Sequence, residues 1–458
     1  MNPTNKERFD NKKNFKLELD KISPTFCTAK WLQSTILLYN GETHSCHHPT
    51  RHKIPVEGLK ENPSKIHNTP IKIHARQDLI NGIQTPECEY CWRIENMKIE
   101  NLSDRITKSA EPSWALPRFQ EVVDSGLGEN IEPSYLEVAF ESTCNFACMY
   151  CTPEVSTRWM EEVESHGHYV LTNGNSLHSP HYLKQVGKYP IHRDDFNPYI
   201  EAFWAWWPSI YTKLHVFRIT GGEPLLSKHT WKIFDWIKEN PNPDLEFAVN
   251  TNLGVPRKLI TKLVNEAKEI SGKVKEFKIF TSLEATGKHA EYIRYGLNYG
   301  EFMDNLDYVL TELPNTRVVF MTTVNVLSVF TFRDFLKEII RLRAKFNKDA
   351  ARSRIGLSIN YLRWPNFMDI RIMDKDLLRV HMDGMVSYMY THLTKVPGYG
   401  EALFYLEEID QLERLREYAL QDIPNREVLV EDFKLFFEQY NNRRGLNFDE
   451  TFNGFELF

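Results

Sequence analysis

The chain has 458 residues, 41% of them hydrophobic and 26% charged, with a formal net charge of −6. That length holds about two or three domains around a sizeable core, and the acidic balance gives no bulk attraction for nucleic acid or an anionic membrane. No apolar run approaches the roughly eighteen residues of a membrane span, and Met1-Asn2-Pro3-Thr4-Asn5-Lys6 lacks the apolar stretch of a signal peptide. A cytoplasmic protein is expected, with no membrane or nucleic-acid partner, in which thiols stay reduced and cysteine clusters signal metal.

Residues 1–105 are rich in Pro, His and polar side chains and read as an N-terminal domain. Ser34-Thr35-Ile36-Leu37-Leu38-Tyr39-Asn40-Gly41 is a short apolar stretch ending in Asn-Gly, a type I′ hairpin signal. Cys46 lies just beyond it, flanked by His44, His47 and His48, which read as surface loop. Cys88-Glu89-Tyr90-Cys91 then supplies a C-x2-C knuckle. Residues 106–133, with prolines from Pro112 to Pro133, read as a linker.

Residues 134–370 alternate strand-like and helix-like patterns, as βα units do. Strands are expected at 135–140, 214–220, 245–250, 276–283, 318–326 and 355–361, with helices at 230–239, 258–269, 300–310 and 331–343. Between Thr152 and Lys213 a long connection carries Phe203-Trp204-Ala205-Trp206-Trp207-Pro208, whose rings read as packing rather than a substrate platform. Residues 371–458 read as a helical extension, amphipathic at 403–418 and 427–440, with no chemistry of its own.

The cysteines carry the chemistry. Cys144-Asn145-Phe146-Ala147-Cys148-Met149-Tyr150-Cys151 is a C-x3-C-x2-C run. Three thiolates on a [4Fe–4S] cube leave one iron without a protein ligand, open to a bidentate small molecule. A closed zinc site needs a fourth nearby donor, and no local His or Cys supplies it. About seventy residues on, the strand expected at 214–220 runs into Gly221-Gly222-Glu223-Pro224. Two glycines let backbone approach a ligand closely, and a carboxylate there can accept a charged hydrogen bond from an ammonium group. Cys27, Cys46, Cys88 and Cys91 remain, the number that one closed tetrahedral site or one fully ligated cube requires.

The C-x3-C-x2-C run, with aromatic Tyr150 before its last cysteine, followed by Gly-Gly-Glu-Pro at a strand end, resembles the radical S-adenosylmethionine superfamily over residues 135 to 365. The resemblance implies an α/β fold, a partial (β/α)6 barrel whose chemistry sits at the C-terminal strand ends. It implies that Cys144, Cys148 and Cys151 hold a cluster whose open iron takes the amino and carboxylate groups of S-adenosylmethionine, and that Gly221, Gly222, Glu223 and Pro224 contact the cofactor's amino group. Thr281-Ser282-Leu283-Glu284 resembles the fourth-strand segment near the cofactor, with Glu284 where Asp is commoner, and Arg294 resembles an arginine that pairs with the methionyl carboxylate. Asn250-Thr251-Asn252 and Asn325 are cofactor or substrate ligands, or they satisfy loop backbone.

Cys27, Cys46, Cys88 and Cys91 resemble the twitch arrangement, one auxiliary [4Fe–4S] cluster, although such modules mostly follow the barrel; zinc is the alternative. The related SPASM arrangement holds two auxiliary clusters and needs more cysteines than remain. The implied enzyme cleaves S-adenosylmethionine reductively to a 5′-deoxyadenosyl radical that abstracts a substrate hydrogen, with an electron donor such as flavodoxin or ferredoxin. A peptide or protein residue is the favoured substrate. A sugar or nucleotide dehydrogenase or isomerase, and a non-catalytic zinc or iron–sulfur protein, are the alternatives. No catalytic acid or base is identified.

Overall fold

The computed structural model describes residues 5–96, 102–125, 131–347, 353–393 and 403–454. The Met1-Asn2-Pro3-Thr4 start and the 126–130 part of the expected linker lie outside the described residues. Among the described residues no helix is long and apolar enough to cross a membrane.

One sheet organises the molecule. Its strands are β1 (Gln33–Leu37), β2 (Glu42–Ser45), β3 (His52–Lys53), β4 (Tyr135–Ala139), β5 (Val216–Thr220), β6 (Asn242–Asn250), β7 (Val274–Ser282), β8 (Arg317–Val324) and β9 (Ile355–Tyr361). The order is β9-β8-β7-β6-β5-β4-β1-β2-β3, parallel from β9 to β1 and antiparallel through β2 and β3. The six strands expected from the sequence are β4 to β9, neighbours in chain order and joined by helices: an α/β fold of the partial-barrel kind.

Alternation along each strand explains the layering. Leu136 and Val138, Phe217 and Ile219, Phe247 and Val249, and Phe277 and Ile279 are buried, and helices cover them: Phe234 of Lys228–Glu239 packs 5.1 Å from Phe247 and 5.7 Å from Phe277. The aromatic run of the long connection belongs to this layer. It forms the helix Pro198–Tyr211, in which Phe203, Trp206 and Trp207 are buried and Trp207 lies 4.7 Å from Phe217. The opposite face carries half-buried Tyr135, Glu137, Arg218, Asn250, Lys278, Phe280 and Ser282.

The segment expected as an N-terminal domain shares this sheet. β1 pairs with β4 in register from Gln33–Tyr135 to Leu37–Ala139, and the Asn40-Gly41 turn leads into β2. At the far edge, Leu406–Ala419 covers β9, and Gln411 accepts the Ile359 N–H at 2.6 Å. That satisfies an edge donor that would otherwise invite pairing. Arg343 and Glu408 form a buried ion pair beneath it. The extension also contains the helices Lys375–Thr391 and Arg426–Arg444, the latter burying Phe433, Phe436, Phe437 and Tyr440.

Candidate functional site

The C-x3-C-x2-C run lies just beyond the C-terminal end of β4 and is held almost atom by atom. The Cys144 N–H donates to Thr157 Oγ1 at 3.1 Å. Phe146 carbonyl accepts from Ser156 Oγ at 2.6 Å, Ala147 carbonyl from Arg444 Nη1 at 3.0 Å, and Cys148 carbonyl from Trp159 Nε1 at 2.8 Å. With these backbone groups satisfied, the loop need not refold to meet its own hydrogen-bond demands, and its thiols are left for another task.

Gly221-Gly222-Glu223-Pro224 packs against the segment leading into Cys144. The Gly222 N–H donates to Glu141 carbonyl at 3.2 Å and the Glu223 N–H to Thr143 carbonyl at 2.7 Å. A Cβ on Gly222 would lie 2.3 Å from Thr143 carbonyl oxygen, and one on Gly254 would lie 2.3 Å from the Phe146 ring. Glu223 is 1% exposed, and its carboxylate accepts from the Leu225 N–H at 3.0 Å and the Asn252 N–H at 2.7 Å. Burial pushes its pKa up to about 7 against those two hydrogen bonds. Asn252 extends the link, donating from Nδ2 to Asn145 Oδ1 at 2.8 Å, so the turn after β5, the end of β6 and the cysteine loop form one hydrogen-bonded unit.

Tyr150, Glu284 and Arg294 meet beside Cys148. Arg294 Nη2 donates to Glu284 Oε2 at 2.5 Å, and Tyr150 OH donates to Glu284 Oε1 at 3.0 Å. Arg294, read from the sequence as a partner for the methionyl carboxylate, is thus ion-paired within the protein. Ser282 lies half-buried at the end of β7, and Asn250 at the end of β6 accepts from Arg218 Nε at 2.6 Å. Asn325 binds its own loop, accepting the Leu327 and Ser328 N–H groups at 3.0 and 3.1 Å.

Cys27, Cys46, Cys88 and Cys91 line one small cavity with Lys30, Arg105 and Lys108. Burial raises the Cys27 pKa to about 11, with Cys46 and Cys88 adding to the rise and Arg105 and Lys30 opposing it. His48, beside Cys46, stacks on Tyr90 of the knuckle at 3.8 Å and binds Asp104 at 2.8 Å. Cys27 precedes the turn of helix that enters β1, and Cys46 follows Ser45, which pairs with Ser34 near the start of β1. The four cysteines therefore gather at the N-terminal ends of the parallel strands, and the three at the C-terminal ends. A five-residue strand separates the two ends by about 17 Å.

Between them the register aligns His44, Thr35, Glu137, Arg218, Ala248 and Lys278 in one row across the inner face. Glu137 lies 3.6 Å from Arg218, and Lys278 lies 2.7 and 3.1 Å from Glu246 and Glu276. Sequence reasoning missed Glu137, Arg218, Trp159 and Arg444, because no spacing from the cysteines marks a side chain on the inner sheet face or a donor to the loop carbonyls.

Among the described residues no three His, Cys, Asp or Glu side chains stand close enough to hold a single metal ion. The fit of a larger group rests on surroundings. Around the three cysteines, glycines admit the loop where a Cβ could not go, and the buried Arg294 Nε has no hydrogen-bond partner, a donor available to an acceptor. Around the four, three cations offset the charge that thiolates carry when they ligate metal. Both sets fit thiolate-held iron–sulfur groups.

No protein-family model matches the chain. Over 118 residues it is 28% identical to a GTP 3′,8-cyclase of Nautilia profundicola, a match that spans 26% of this chain and only 27% of that enzyme. Among solved structures, anSMEcpe with bound AdoMet aligns with 56% of this chain and 58% of its own length, at TM-score 0.34 and 12% identity. Streptococcus suis SuiB bound to S-adenosylmethionine aligns with 80% of this chain and 69% of its own, at TM-score 0.31 and 12% identity. SuiB bound to precursor peptide SuiA gives 80%, 70%, 0.30 and 12%. These three likenesses are weak.

Proposed function

We propose that the chain is a radical S-adenosylmethionine enzyme with an auxiliary iron–sulfur cluster. The observation that carries this reading is the packing of Cys144-x3-Cys148-x2-Cys151 against Gly221-Gly222-Glu223-Pro224 at adjacent C-terminal strand ends. Cys144, Cys148 and Cys151 would hold the cluster, and Gly221, Gly222, Glu223, Pro224 and Ser282 would line the cofactor's side of it. When bound and given one electron by an external donor through that cluster, S-adenosylmethionine would supply, with release of methionine, a 5′-deoxyadenosyl radical able to remove a substrate hydrogen. The protein's own part is to hold the loop rigid, to exclude water at its buried backbone, and to present substrate on the inner face between the two cysteine sets. Cys27, Cys46, Cys88 and Cys91 would hold the auxiliary cluster, whose chemistry there would be to bind substrate or to accept an electron from it.

For the substrate we favour a residue of a peptide or protein. Along the inner row Arg218 and Lys278 already face the carboxylates of Glu137, Glu246 and Glu276, which suits a polar chain of mixed character better than a multiply charged phosphate. The partial match to the GTP 3′,8-cyclase favours the second reading, a nucleotide.

The test is 5′-deoxyadenosine formation from S-adenosylmethionine by anaerobically reconstituted protein under a strong reductant. Parent and a Cys88→Ala/Cys91→Ala variant should both form it, since the three-cysteine loop lies at the other end of the strands. A folded parent carrying iron and sulfide that forms none contradicts the reading. A folded double variant that loses 5′-deoxyadenosine formation contradicts the division of roles between the two sites.

A further inference from the structure

A two-rung backbone ladder fixes Arg294 directly opposite Cys148. The Ala147 N–H donates to Tyr295 carbonyl and the Met149 N–H to Ile293 carbonyl, both at 2.8 Å, so the residues on either side of the cysteine are tied to those on either side of the arginine. Across this ladder Arg294 Nη1 reaches Cys148 Sγ at 3.9 Å. The guanidinium is 5% exposed and lies over the Tyr150 ring at 5.5 Å. Glu284, which holds Nη2, has its second oxygen filled by Tyr150 OH.

We propose that Arg294 sets the reduction potential of the cluster held by Cys144, Cys148 and Cys151, by hydrogen bonding at the Cys148 sulfur, and that it does not bind the carboxylate of S-adenosylmethionine. The inference rests on the functional reading above. Hydrogen bonds to cluster sulfurs and nearby charge set iron–sulfur potentials, a donor or cation making the cluster easier to reduce. Glu284 and Tyr150 are positioning residues here: Glu284 holds Nη2 and Tyr150 holds Glu284, leaving Nη1 for the sulfur. The Glu284 carboxylate also tempers the cation, since the pair is buried as a unit. With Nη2 held by Glu284 and Nη1 by the sulfur, a carboxylate ligand would meet Nε alone and could not be gripped by two donors without displacing one of these contacts.

The experiment is an EPR-monitored redox titration of the full-length reconstituted protein, with S-adenosylmethionine affinity measured calorimetrically on the same samples. Arg294→Gln should move the midpoint of the three-cysteine cluster to a more negative value while affinity stays at the parent level. Glu284→Gln should move it the other way, because the arginine keeps its charge and loses its counter-ion; this second variant decides the matter if Arg294→Gln assembles no cluster. An unmoved midpoint in both variants, or a loss of affinity with an unmoved midpoint, overturns the inference. A parent that takes up no iron overturns the functional reading itself, and the inference with it.

Discussion

Arg444, in the last long helix of the chain, donates a hydrogen bond of 3.0 Å to the carbonyl of Ala147, the residue directly before Cys148. The same guanidinium binds Glu162 at 2.6 Å and lies over the rings of Tyr440 at 3.8 Å and Trp159 at 4.5 Å. The extension read from the sequence as having no chemistry thus reaches the backbone of the cysteine loop. Residues nearly three hundred positions apart share one polar contact there.

Arg444→Ala should destabilise the protein by about 3–5 kcal/mol, the usual cost of breaking a buried ion pair from one side. It should also speed iron loss to a chelator, because Ala147 carbonyl is left without its donor. Arg444→Lys keeps the charge but cannot reach both partners as a planar fork does, so it should fall between. Parent-like unfolding and chelation rates in Arg444→Ala would show that the extension does not hold the loop.

Gly222→Ala should disturb the entry to the cysteine loop, because its Cβ would meet the carbonyl oxygens of Thr143 and Ser142 at 2.3 and 2.7 Å. Backbone must move to admit it, and cluster assembly should suffer even if the chain stays folded. Gly384→Ala in the helix Lys375–Thr391 meets nothing within 4 Å and should stabilise by roughly 0.5–1 kcal/mol. Iron per chain and thermal midpoints of the two variants check this contrast. Equal iron in Gly222→Ala and parent would contradict it.

Glu223 carries a pH signature in the metal-free protein. Burial raises its pKa from 4.5 to about 7, so between those values the folded chain holds a proton that the unfolded chain releases. Stability from this group is therefore greatest below pH 4.5 and is lost as pH rises through 7. Glu223→Gln removes the titration, so its stability relative to the parent should climb across that window by something on the order of 3 kcal/mol. Urea denaturation of both proteins at pH 5 and pH 8 measures the difference. A difference that does not change with pH would mean the carboxylate ionises normally in the fold.

Much of the parallel sheet was legible because one face of each strand is buried and the other half-solvated, which prints an alternating pattern on β4, β5 and β7. β6 and β7 start earlier than expected, at Asn242 and Val274, since polar Asn242-Pro243-Asp244 and the exposed Lys275 mask their first residues. β1 was not legible as a strand of this sheet. All five of its residues are buried, so Gln33-Ser34-Thr35-Ile36-Leu37 shows no alternation, and its partner β4 lies a hundred residues on. The partition of seven cysteines into three and four was readable from spacing alone. The convergence of Cys27 and Cys46 on the Cys88-Cys91 knuckle was readable only as a count, and the Arg294–Glu284–Tyr150 unit only as three separate cofactor-side residues. Its contacts depend on how the loop after β4 meets the loop after β7, which no local pattern encodes.

The central claim is that the three cysteines of one loop and the four at the opposite strand ends hold separate iron–sulfur clusters. Iron and acid-labile sulfide per chain, determined after anaerobic reconstitution of the parent and of the Cys144→Ala/Cys148→Ala/Cys151→Ala variant, test it most directly. The parent should carry about eight irons with matching sulfide, and the variant about half of each, if each set holds a four-iron cube. A parent that binds zinc without sulfide, or a folded triple variant that keeps all of its iron, would contradict the account.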